Sequence, residues 1–296
     1  MLVIQVAGGL GNQLQQYAMY EKLKSLGKDV ALDTSWFYEE KPGKYERNLE
    51  LSYFPHVNYR QASLEEVAAL RGADDFVSKV KRKLFRGNSN LFVESKMYHP
   101  EIFDFTDKYM MGYFACEKYY ADIIPELRHK LQFPPSTNMR NKELAEAMQE
   151  RESVSIHIRR GDYLDKENAA LFGGICTDEY YQGAIREMKQ LFPDAHFYIF
   201  SNDPEYAYAE YSGDEYTVVD VNWGKDSFFD IYLMSCCRHN ICANSTFSFW
   251  GARLNQYSDK VVIRPSIHKN TQTYIPELMH DLWEGWVLMD SKGRIV

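Results

Sequence analysis

One stretch of the sequence, residues 153–163 (SVSIHIRRGDY), restricts the fold more than any other. Apolar residues alternate with polar ones in its first half, at Val154, Ile156 and Ile158. A period of two in such a run predicts a β-strand with one buried face, and Gly161 permits the turn after it. In an open α/β sheet the carboxyl end of a strand faces the ligand crevice. The stretch therefore predicts His157 and two arginines at the edge of a binding site.

The two arginines, Arg159 and Arg160, are neighbours in this turn. Like charges repel and a guanidinium keeps its proton in a protein, so the pair needs an anion close by. Asp162 could serve as an internal partner. A diphosphate would serve better, because guanidinium groups match phosphate oxygens in a bidentate geometry. Two interpretations stay open here: an anion-binding site, and an Arg–Asp network that only closes the strand end.

The bulk composition is that of an ordinary globular protein. The chain has 296 residues, enough for one large or two medium domains, and is 45% hydrophobic and 26% charged. Its formal net charge of −8 argues against a broad nucleic-acid-binding surface. One basic run, Lys79 to Arg86, departs from that average. We interpret it as a solvated helix face, with contact to an anionic membrane surface as the alternative.

The five cysteines are an odd number without a Cys-x-x-Cys pair, so neither a disulfide framework nor a zinc site is indicated. Such usage is typical of a reducing compartment. The first residues lack the charged and apolar regions of a signal peptide, and no apolar run of 18 residues occurs. We therefore expect a cytoplasmic protein without a transmembrane helix. Peripheral association with the inner face of the membrane is an open alternative.

A strand, a glycine turn, a helix and a second strand are predicted to follow one another over residues 2–33. Glycines in that turn allow a ligand to approach the backbone, and a helix start favours anions. Gly9-x-Gly11 matches the first half of a dinucleotide-binding fingerprint, but Leu14 stands in place of its third glycine. A tight turn without a ligand is an equally good interpretation.

The second half of the chain alternates predicted strands with predicted helices. The strands are 153–159, 195–200, 216–221, 239–243 and 260–264, and the helices are 177–191, 226–237 and 245–255. This alternation predicts βαβ units and a parallel sheet. Residues 164–174 are expected to form a loop, and the proline-containing segment 133–137 is expected to link two domains.

Polar residues follow three of these strands, and parallel strands end at the same edge of a sheet. The three groups are His157, Arg159 and Arg160, then Ser201, Asn202 and Asp203, then Asn244, Ser245 and Thr246. The last group opens a helix, whose amino terminus favours anions. An N-cap needs one such residue, so the polar segment 244–248 exceeds what capping requires. The sequence thus predicts that the three groups converge.

Three motifs together resemble the bacterial α-1,2-fucosyltransferases: GGLGNQLQQYA at the amino terminus, HIRRGDY in the centre and ANSTFSFWGA near residue 250. The segments 112–120 and 200–206 also resemble family segments, and the resemblance extends over residues 1 to about 265. It implies an α/β fold of GT-B type, in which two Rossmann-like domains face each other across a cleft. Residues 1–135 would form the acceptor-side domain and residues 136–296 the GDP-fucose-binding domain. The carboxyl-terminal segment 274–296 is a candidate for packing back on the first domain.

The resemblance also implies an activity. The expected enzyme is a metal-independent galactoside α-1,2-fucosyltransferase that moves L-fucose with inversion from GDP-fucose to an oligosaccharide hydroxyl, with O2 of a terminal galactose as the expected position. GDP-fucose is a co-substrate, and no cofactor is expected. The sequence agrees, because it has no Asp-x-Asp pair of the kind that holds a divalent ion on a diphosphate.

Residue roles follow from the resemblance. The donor site would comprise Gly11, Asn12, His157, Arg159, Arg160, Asp203, Asp230, Ser245, Thr246, Phe247 and Ser248. In it, Arg159 would contact the β-phosphate, while Arg160 would support it or hold Asp162. The backbone N–H groups of Gly11 and Asn12 would face the diphosphate.

Thr246, Phe247 and Ser248 would close the pocket around phosphate and ribose. Asp230 would accept from the guanine edge, for which a carboxylate is suited because it accepts from two donors. His157 would shape the donor pocket. The candidates for a general base are Asp162 and Glu167, and a salt bridge to Arg160 is the alternative role of Asp162.

Two other functions are compatible with parts of the sequence. Gly9-x-Gly11 and Asp33 would suit an NAD-dependent oxidoreductase. The 22 tyrosines and 17 phenylalanines would suit a non-catalytic carbohydrate-binding protein whose aromatic rings stack on sugars. Neither alternative accounts for paired arginines beside a hydroxyl-rich helix start.

Overall fold

The computed structural model describes residues 1–39, 47–71 and 90–296. It divides into two compact units, Met1–Pro134 and Pro135–Val296, so the division falls inside the segment 133–137. The basic run 79–86 lies outside the described residues. The acceptor and donor roles of the two parts stay predictions.

The first unit holds a parallel four-stranded sheet in the order β2-β1-β4-β3. Its strands are β1 (Leu2–Gln5), β2 (Val30–Asp33), β3 (Leu91–Val93) and β4 (Lys108–Met111), and its helices are α1 (Leu10–Ser25), α2 (Leu64–Arg71) and α3 (Ile124–Lys130). Short 3₁₀ segments fill the connections. The predicted strand–turn–helix–strand unit at the amino terminus is confirmed.

The glycine turn between β1 and α1 is held by the motif's own side chains. Gln13 is fully buried; its Nε2 donates to the carbonyls of Gly8 and Asn48 at 3.0 and 2.8 Å, and its Oε1 accepts from the Glu50 N–H at 2.8 Å. Gln16 in turn accepts from the Ala7 N–H at 3.0 Å. These bonds satisfy backbone groups that an irregular turn leaves unpaired, so part of the motif builds the turn itself.

The second unit holds a parallel six-stranded sheet in the order β10-β9-β8-β5-β6-β7. Its strands are β5 (Ser153–Ile158), β6 (His196–Ser201), β7 (Tyr216–Val219), β8 (His239–Ile241), β9 (Val262–Pro265) and β10 (Val287–Met289). Its helices are α4 (Met139–Gln149), α5 (Lys166–Phe172), α6 (Asp178–Leu191), α7 (Pro204–Glu210), α8 (Phe229–Cys236), α9 (Thr246–Leu254) and α10 (Pro276–Leu282). The carboxyl-terminal strand β10 is part of this sheet and this unit.

Strand β5 lies inside the sheet, between β6 and β8. The apolar alternation that predicted it is confirmed, because Val154, Ile156 and Ile158 belong to one core cluster with Tyr180 and Met188 of α6. On the alternate positions, the Ser155 hydroxyl accepts from Asn240 Nδ2 at 2.7 Å. The hydroxyl of Ser155 is therefore buried with a partner, as burial requires.

One predicted segment differs from the structure. The segment 164–174, predicted as a loop, contains helix α5 over Lys166–Phe172. The region 117–131 starts with two 3₁₀ segments, and its α-helix begins only at Ile124. Pro125 explains the late start, because proline fits the first turn of a helix but not its interior.

The predicted α/β class is confirmed: each of the two units holds a parallel sheet. Across the described parts of the chain, no helix is both long enough and apolar enough to span a membrane.

Candidate active site

The carboxyl ends of β5, β6 and β8 bring the three predicted polar groups together. Residues from the β5 end contact both neighbours: the Arg160 N–H donates to Asn202 Oδ1 at 2.9 Å, and the Tyr163 hydroxyl donates to the Asn244 carbonyl at 3.1 Å. These bonds follow from the strand order, in which β5 pairs with β6 on one side and β8 on the other. The predicted convergence is therefore a feature of the structure.

Arg160 is held on the β6 side. Its Nε donates to Asp203 Oδ2 at 3.0 Å, and its guanidinium lies 3.8 Å from the centre of the Tyr206 ring. Asp203 is also the N-cap of α7, because its Oδ1 accepts from the Tyr206 N–H at 3.2 Å. A carboxylate from a different strand end, that of Asp203, thus lies beside Arg160.

Gly161 fits closely against β6. Its φ of +29° is one that residues with a Cβ rarely adopt, and a Cβ built there would overlap Asn202 Nδ2. Asn202 is the residue that accepts from the Arg160 N–H. The glycine of the HIRRGDY motif therefore lets the turn lie against the end of the neighbouring strand.

Arg159 faces a stack of aromatic rings. Its guanidinium lies 5.6 Å from the centre of the Tyr163 ring, which stacks on Phe172 at 4.9 Å with an interplanar angle of 15°. Cation–π contacts of this kind favour a fixed arginine orientation. Phe172 ends helix α5, so the helix that the sequence did not predict supports the arginine.

Asn244 joins this aromatic stack to the rest of the edge. It is 2% exposed, and its Nδ2 donates to the carbonyls of Phe172 and His268, each at 3.1 Å. Its own carbonyl accepts from the Tyr163 hydroxyl. One buried asparagine therefore fixes both rings of the stack.

His157 is neutral and is a weak base. Burial and the Arg159 charge lower the pKa of His157 to about 3. The ring is 5% exposed and lies 5.6 Å from the Phe247 ring, and its Nδ1 has no hydrogen-bond partner among the described residues. A buried polar atom without a partner is costly, and this nitrogen is also out of contact with solvent.

The amino terminus of α9 forms the β8 side of the edge. Ser245 is its N-cap and accepts from the Phe247 N–H at 3.4 Å. The Ser248 hydroxyl, in contrast, is buried and donates to the Ser245 carbonyl at 3.1 Å. Of the predicted residues 245–248, Ser248 therefore already uses its hydroxyl within the helix. The helix start still offers its partial positive charge.

Asp230 lies in the first turn of α8, which follows the end of β7. Its Oδ1 accepts from Asn222 Nδ2 at 2.8 Å. Burial raises the pKa of Asp230 to about 7, and the hydrogen bond from Asn222 acts in the opposite direction. A carboxyl group with such a pKa occurs at functional sites more often than elsewhere.

Gly11 and Asn12 lie in the first turn of α1 in the first unit. The Asn12 N–H donates to the Gly9 carbonyl at 2.9 Å, so the helix already uses the donor predicted for the diphosphate. The side chains of Asp162 and Glu167, the two candidates for a general base, lie outside what the structure describes. Their roles stay predictions.

The comparison with known families decides the class of this protein. The family model described as Glycosyl transferase family 11 matches residues 1–287. The chain belongs to that family. The resemblance carried by the three motifs is thereby confirmed, and with it the enzyme class, since this family-11 protein is a glycosyltransferase.

Relatives of this family-11 chain include two proteins of Escherichia coli. The O-antigen biosynthesis glycosyltransferase WbnK is 30% identical over 287 residues, which cover 88% of this chain and 92% of WbnK. An α-1,2-colitosyltransferase is 30% identical over 285 residues, which cover 90% of this chain and 91% of that protein. Galactoside α-(1,2)-fucosyltransferase 1 of Ateles belzebuth is 28% identical over 103 residues, or 34% of this chain and 28% of that protein.

The sequence did not indicate every residue that builds the family-11 site. Tyr206 and Phe172 support the two arginines, and Asn222 supports Asp230. Tyr206 belongs to the segment 200–206 (FSNDPEY), which resembles a family segment, so the sequence did offer a signal for it. Phe172 and Asn222 stand in segments without a recognisable pattern. Within the described residues, no group of three or more His, Cys, Asp or Glu is placed to hold a metal ion.

Proposed function

We propose that this family-11 protein transfers L-fucose from GDP-fucose to O2 of a terminal galactose on an oligosaccharide, giving an α-1,2 linkage. Family membership supports glycosyl transfer. Two relatives carry α-1,2 transfer in their names, and one of them is a galactoside fucosyltransferase. The observation that carries the proposal is local: Arg159 and the amino terminus of α9 share one edge of the second sheet, joined through Tyr163 and Asn244.

That edge suits a nucleoside diphosphate sugar. Arg159 supplies a fork of N–H donors for phosphate oxygens, and the α9 start supplies a partial positive charge. Arg160 is engaged by Asp203 and the Tyr206 ring, so we assign it a supporting role. The Asp230 carboxylate supplies a polar contact for the nucleoside, and the His157 ring, beside Phe247, shapes the pocket.

The reaction would be a single displacement with inversion at the fucose anomeric carbon. The acceptor oxygen forms a bond to that carbon as the bond to the β-phosphate oxygen breaks, and the bonding pair leaves with GDP. The acceptor proton passes to Asp162, Glu167 or solvent. Negative charge grows on the departing diphosphate, where Arg159 and the α9 start would stabilise it.

Colitose is a second candidate for the transferred sugar. The colitosyltransferase relative matches 90% of this chain, whereas the fucosyltransferase relative matches 34%. Colitose is L-fucose without the 3-hydroxyl group, so one donor pocket can be close to fitting both. The contacts to that hydroxyl would separate them, because a site built to hydrogen-bond a hydroxyl rejects the analogue that lacks it.

The test is a direct comparison of donors. The purified protein is incubated with a terminal galactoside and GDP-fucose, GDP-colitose, GDP-mannose or UDP-galactose, and GDP or UDP release is measured with and without EDTA. We expect turnover with GDP-fucose that survives EDTA, and an α-1,2-linked product by NMR. Faster turnover with GDP-colitose would transfer the assignment to colitose. Turnover with UDP-galactose alone would overturn the proposal.

The absence of an Asp-x-Asp pair supports metal-independent transfer. The oligosaccharide acceptor, the cytoplasmic location and a peripheral membrane contact remain parts of the proposal, each supported by the sequence alone.

A further inference from the structure

A row of buried polar side chains leads to the Asp230 carboxylate. Asn141 of α4 and Asn222 exchange two hydrogen bonds, of 2.8 and 2.9 Å, although they are 81 residues apart. Asn141 Nδ2 also donates to Ser136 Oγ at 3.0 Å, and Asn222 Nδ2 donates to Asp230 Oδ1. The two asparagines are 1% and 7% exposed. Buried polar networks are stable only when they are fully satisfied.

The hydrogen bonds of this row have a fixed direction. Both hydrogens of the Asn222 amide are used, one toward Asn141 and one toward Asp230. Both hydrogens of the Asn141 amide are used as well, toward Asn222 and Ser136. Neither amide can turn over without losing bonds. Asp230 Oδ1 therefore always accepts a hydrogen bond from the Asn222 amide, and this bond favours the ionised form of the carboxyl group.

We propose that Asn222 and Asn141 are positioning residues that orient the Asp230 carboxylate and hold it as an acceptor for the donor nucleobase. The inference rests on the proposed function, because guanine presents adjacent N–H donors on one edge. An ionised carboxylate accepts from both of them, whereas a protonated one brings a hydrogen of its own to that edge. Base recognition should then follow the ionisation of Asp230.

Among the side chains around Asp230, Asn222 is the one that acts on the pKa of this carboxyl group. Helices α4 and α9 pack on α8. Their charged and titratable groups, with those of α8, are Arg140, Lys142, Glu143, Glu146, Tyr232, Cys236 and Arg253. Arg140 and Glu143 pair with each other, as do Lys142 and Glu146, and all four are exposed. Burial and the Asn222 hydrogen bond are the causes that act on the pKa of Asp230, which is about 7.

The experiment measures GDP-fucose affinity by calorimetry without acceptor, between pH 5.5 and 8.5. GDP-fucose is used because its diphosphate is esterified at both ends, whereas the terminal phosphate of GDP titrates at about pH 6. His157 stays neutral over this range because its pKa is about 3. For the wild type we expect the affinity for GDP-fucose to rise with pH and to reach a plateau above the pKa of Asp230, which is about 7. The pH at which affinity is half of its plateau value is the midpoint, and one pH unit below it the affinity should be about tenfold weaker than on the plateau.

Asn222→Leu is the decisive variant. Losing a hydrogen bond to a charged group should move the midpoint upward by about one to two pH units. Asn141→Ala leaves the Asn222 donor in place but unsupported, so a smaller upward shift is expected. Asn240→Leu is the matched control: Asn240 belongs to a separate buried row, in which it accepts from Asn255 and donates to Ser155. It should cost stability but leave the midpoint unchanged.

The outcomes separate the inference from the proposed function. A folded Asn222→Leu variant with the wild-type midpoint would overturn the inference, and so would a shift of equal size in Asn240→Leu. If Asn222→Leu does not fold, an unshifted midpoint in Asn141→Ala would overturn it. Asp230→Asn should lose affinity at every pH; wild-type affinity in that variant would remove Asp230 from base recognition. Failure of the wild type to bind GDP-fucose at any pH would overturn the proposed function itself.

Discussion

Asp203 offers the sharpest test of how the arginine edge is built. Its carboxylate caps α7 through the Tyr206 N–H and pairs with Arg160 Nε at 3.0 Å. Loss of an N-cap costs about 1 kcal/mol. The ion pair adds about 0.5 kcal/mol, because both side chains are about one-third exposed (32% and 33%) and solvent screens them. Asp203→Ala should therefore lower the free energy of unfolding by about 1.5 kcal/mol.

Asp203→Asn separates the two contributions. Asparagine caps a helix as well as aspartate does but carries no charge, so this variant should lose only about 0.5 kcal/mol. Unfolding in urea can be followed by tryptophan fluorescence, because four of the five tryptophans lie in the second unit: Trp223, Trp250, Trp283 and Trp286. GDP-fucose affinity is measured on the same samples and should fall by less than tenfold in Asp203→Asn.

Two results would refute this reasoning. Equal destabilisation in both variants would show that the cap contributes nothing. Unchanged stability in both variants, together with a large loss of GDP-fucose affinity, would show that Asp203 contacts the donor directly and does not act through Arg160.

Two further predictions concern the turn after β5. A left-handed backbone costs a residue with a Cβ about 1–2 kcal/mol, and Gly161→Ala should destabilise the protein by more than this because its Cβ would also overlap Asn202. Gly174 has φ +70° and open space around it, so Gly174→Ala is the control and should show the backbone cost alone in thermal unfolding. Tyr163→Phe should lower kcat/KM by a few-fold, because it keeps the ring beside Arg159 and loses only the bond to Asn244. Tyr163→Leu removes the ring and should lower kcat/KM about tenfold further. Equal values of kcat/KM in the two variants would contradict a role for the ring.

Much of this site could be predicted from strand order. Alternating strands and helices imply a parallel sheet, and parallel strands end at one edge, so the polar groups after β5, β6 and β8 had to approach each other. The pairing of Arg160 with Asp203 could not be predicted in the same way. Asp162 is close in sequence, but Asp203, at a separation of 43 residues, lies beside Arg160 because β6 is the neighbour of β5.

The contacts that no pattern predicted are those between distant polar residues. Asn141 and Asn222 stand 81 residues apart in segments without periodicity, and a buried amide pair has no composition signal. Helix α5 was missed for a different reason. Its seven residues are too few to show a clear apolar period. The helix is stabilised by residues outside it, because Asn244 donates to the Phe172 carbonyl and the Tyr163 ring stacks on the Phe172 ring.

The most direct test of the account is the turnover of Arg159→Ala with GDP-fucose and a galactoside acceptor. Removing a group that stabilises the charge of a transition state typically lowers the rate by about 10²–10³, and we expect a loss of that size. Arg159→Lys should recover part of it, because it restores the charge without the fork of donors. Arg151→Ala, which changes an exposed arginine before the start of β5, is the control that should turn over normally. Near-normal turnover in Arg159→Ala would contradict the account, because the leaving diphosphate would then depend on other residues.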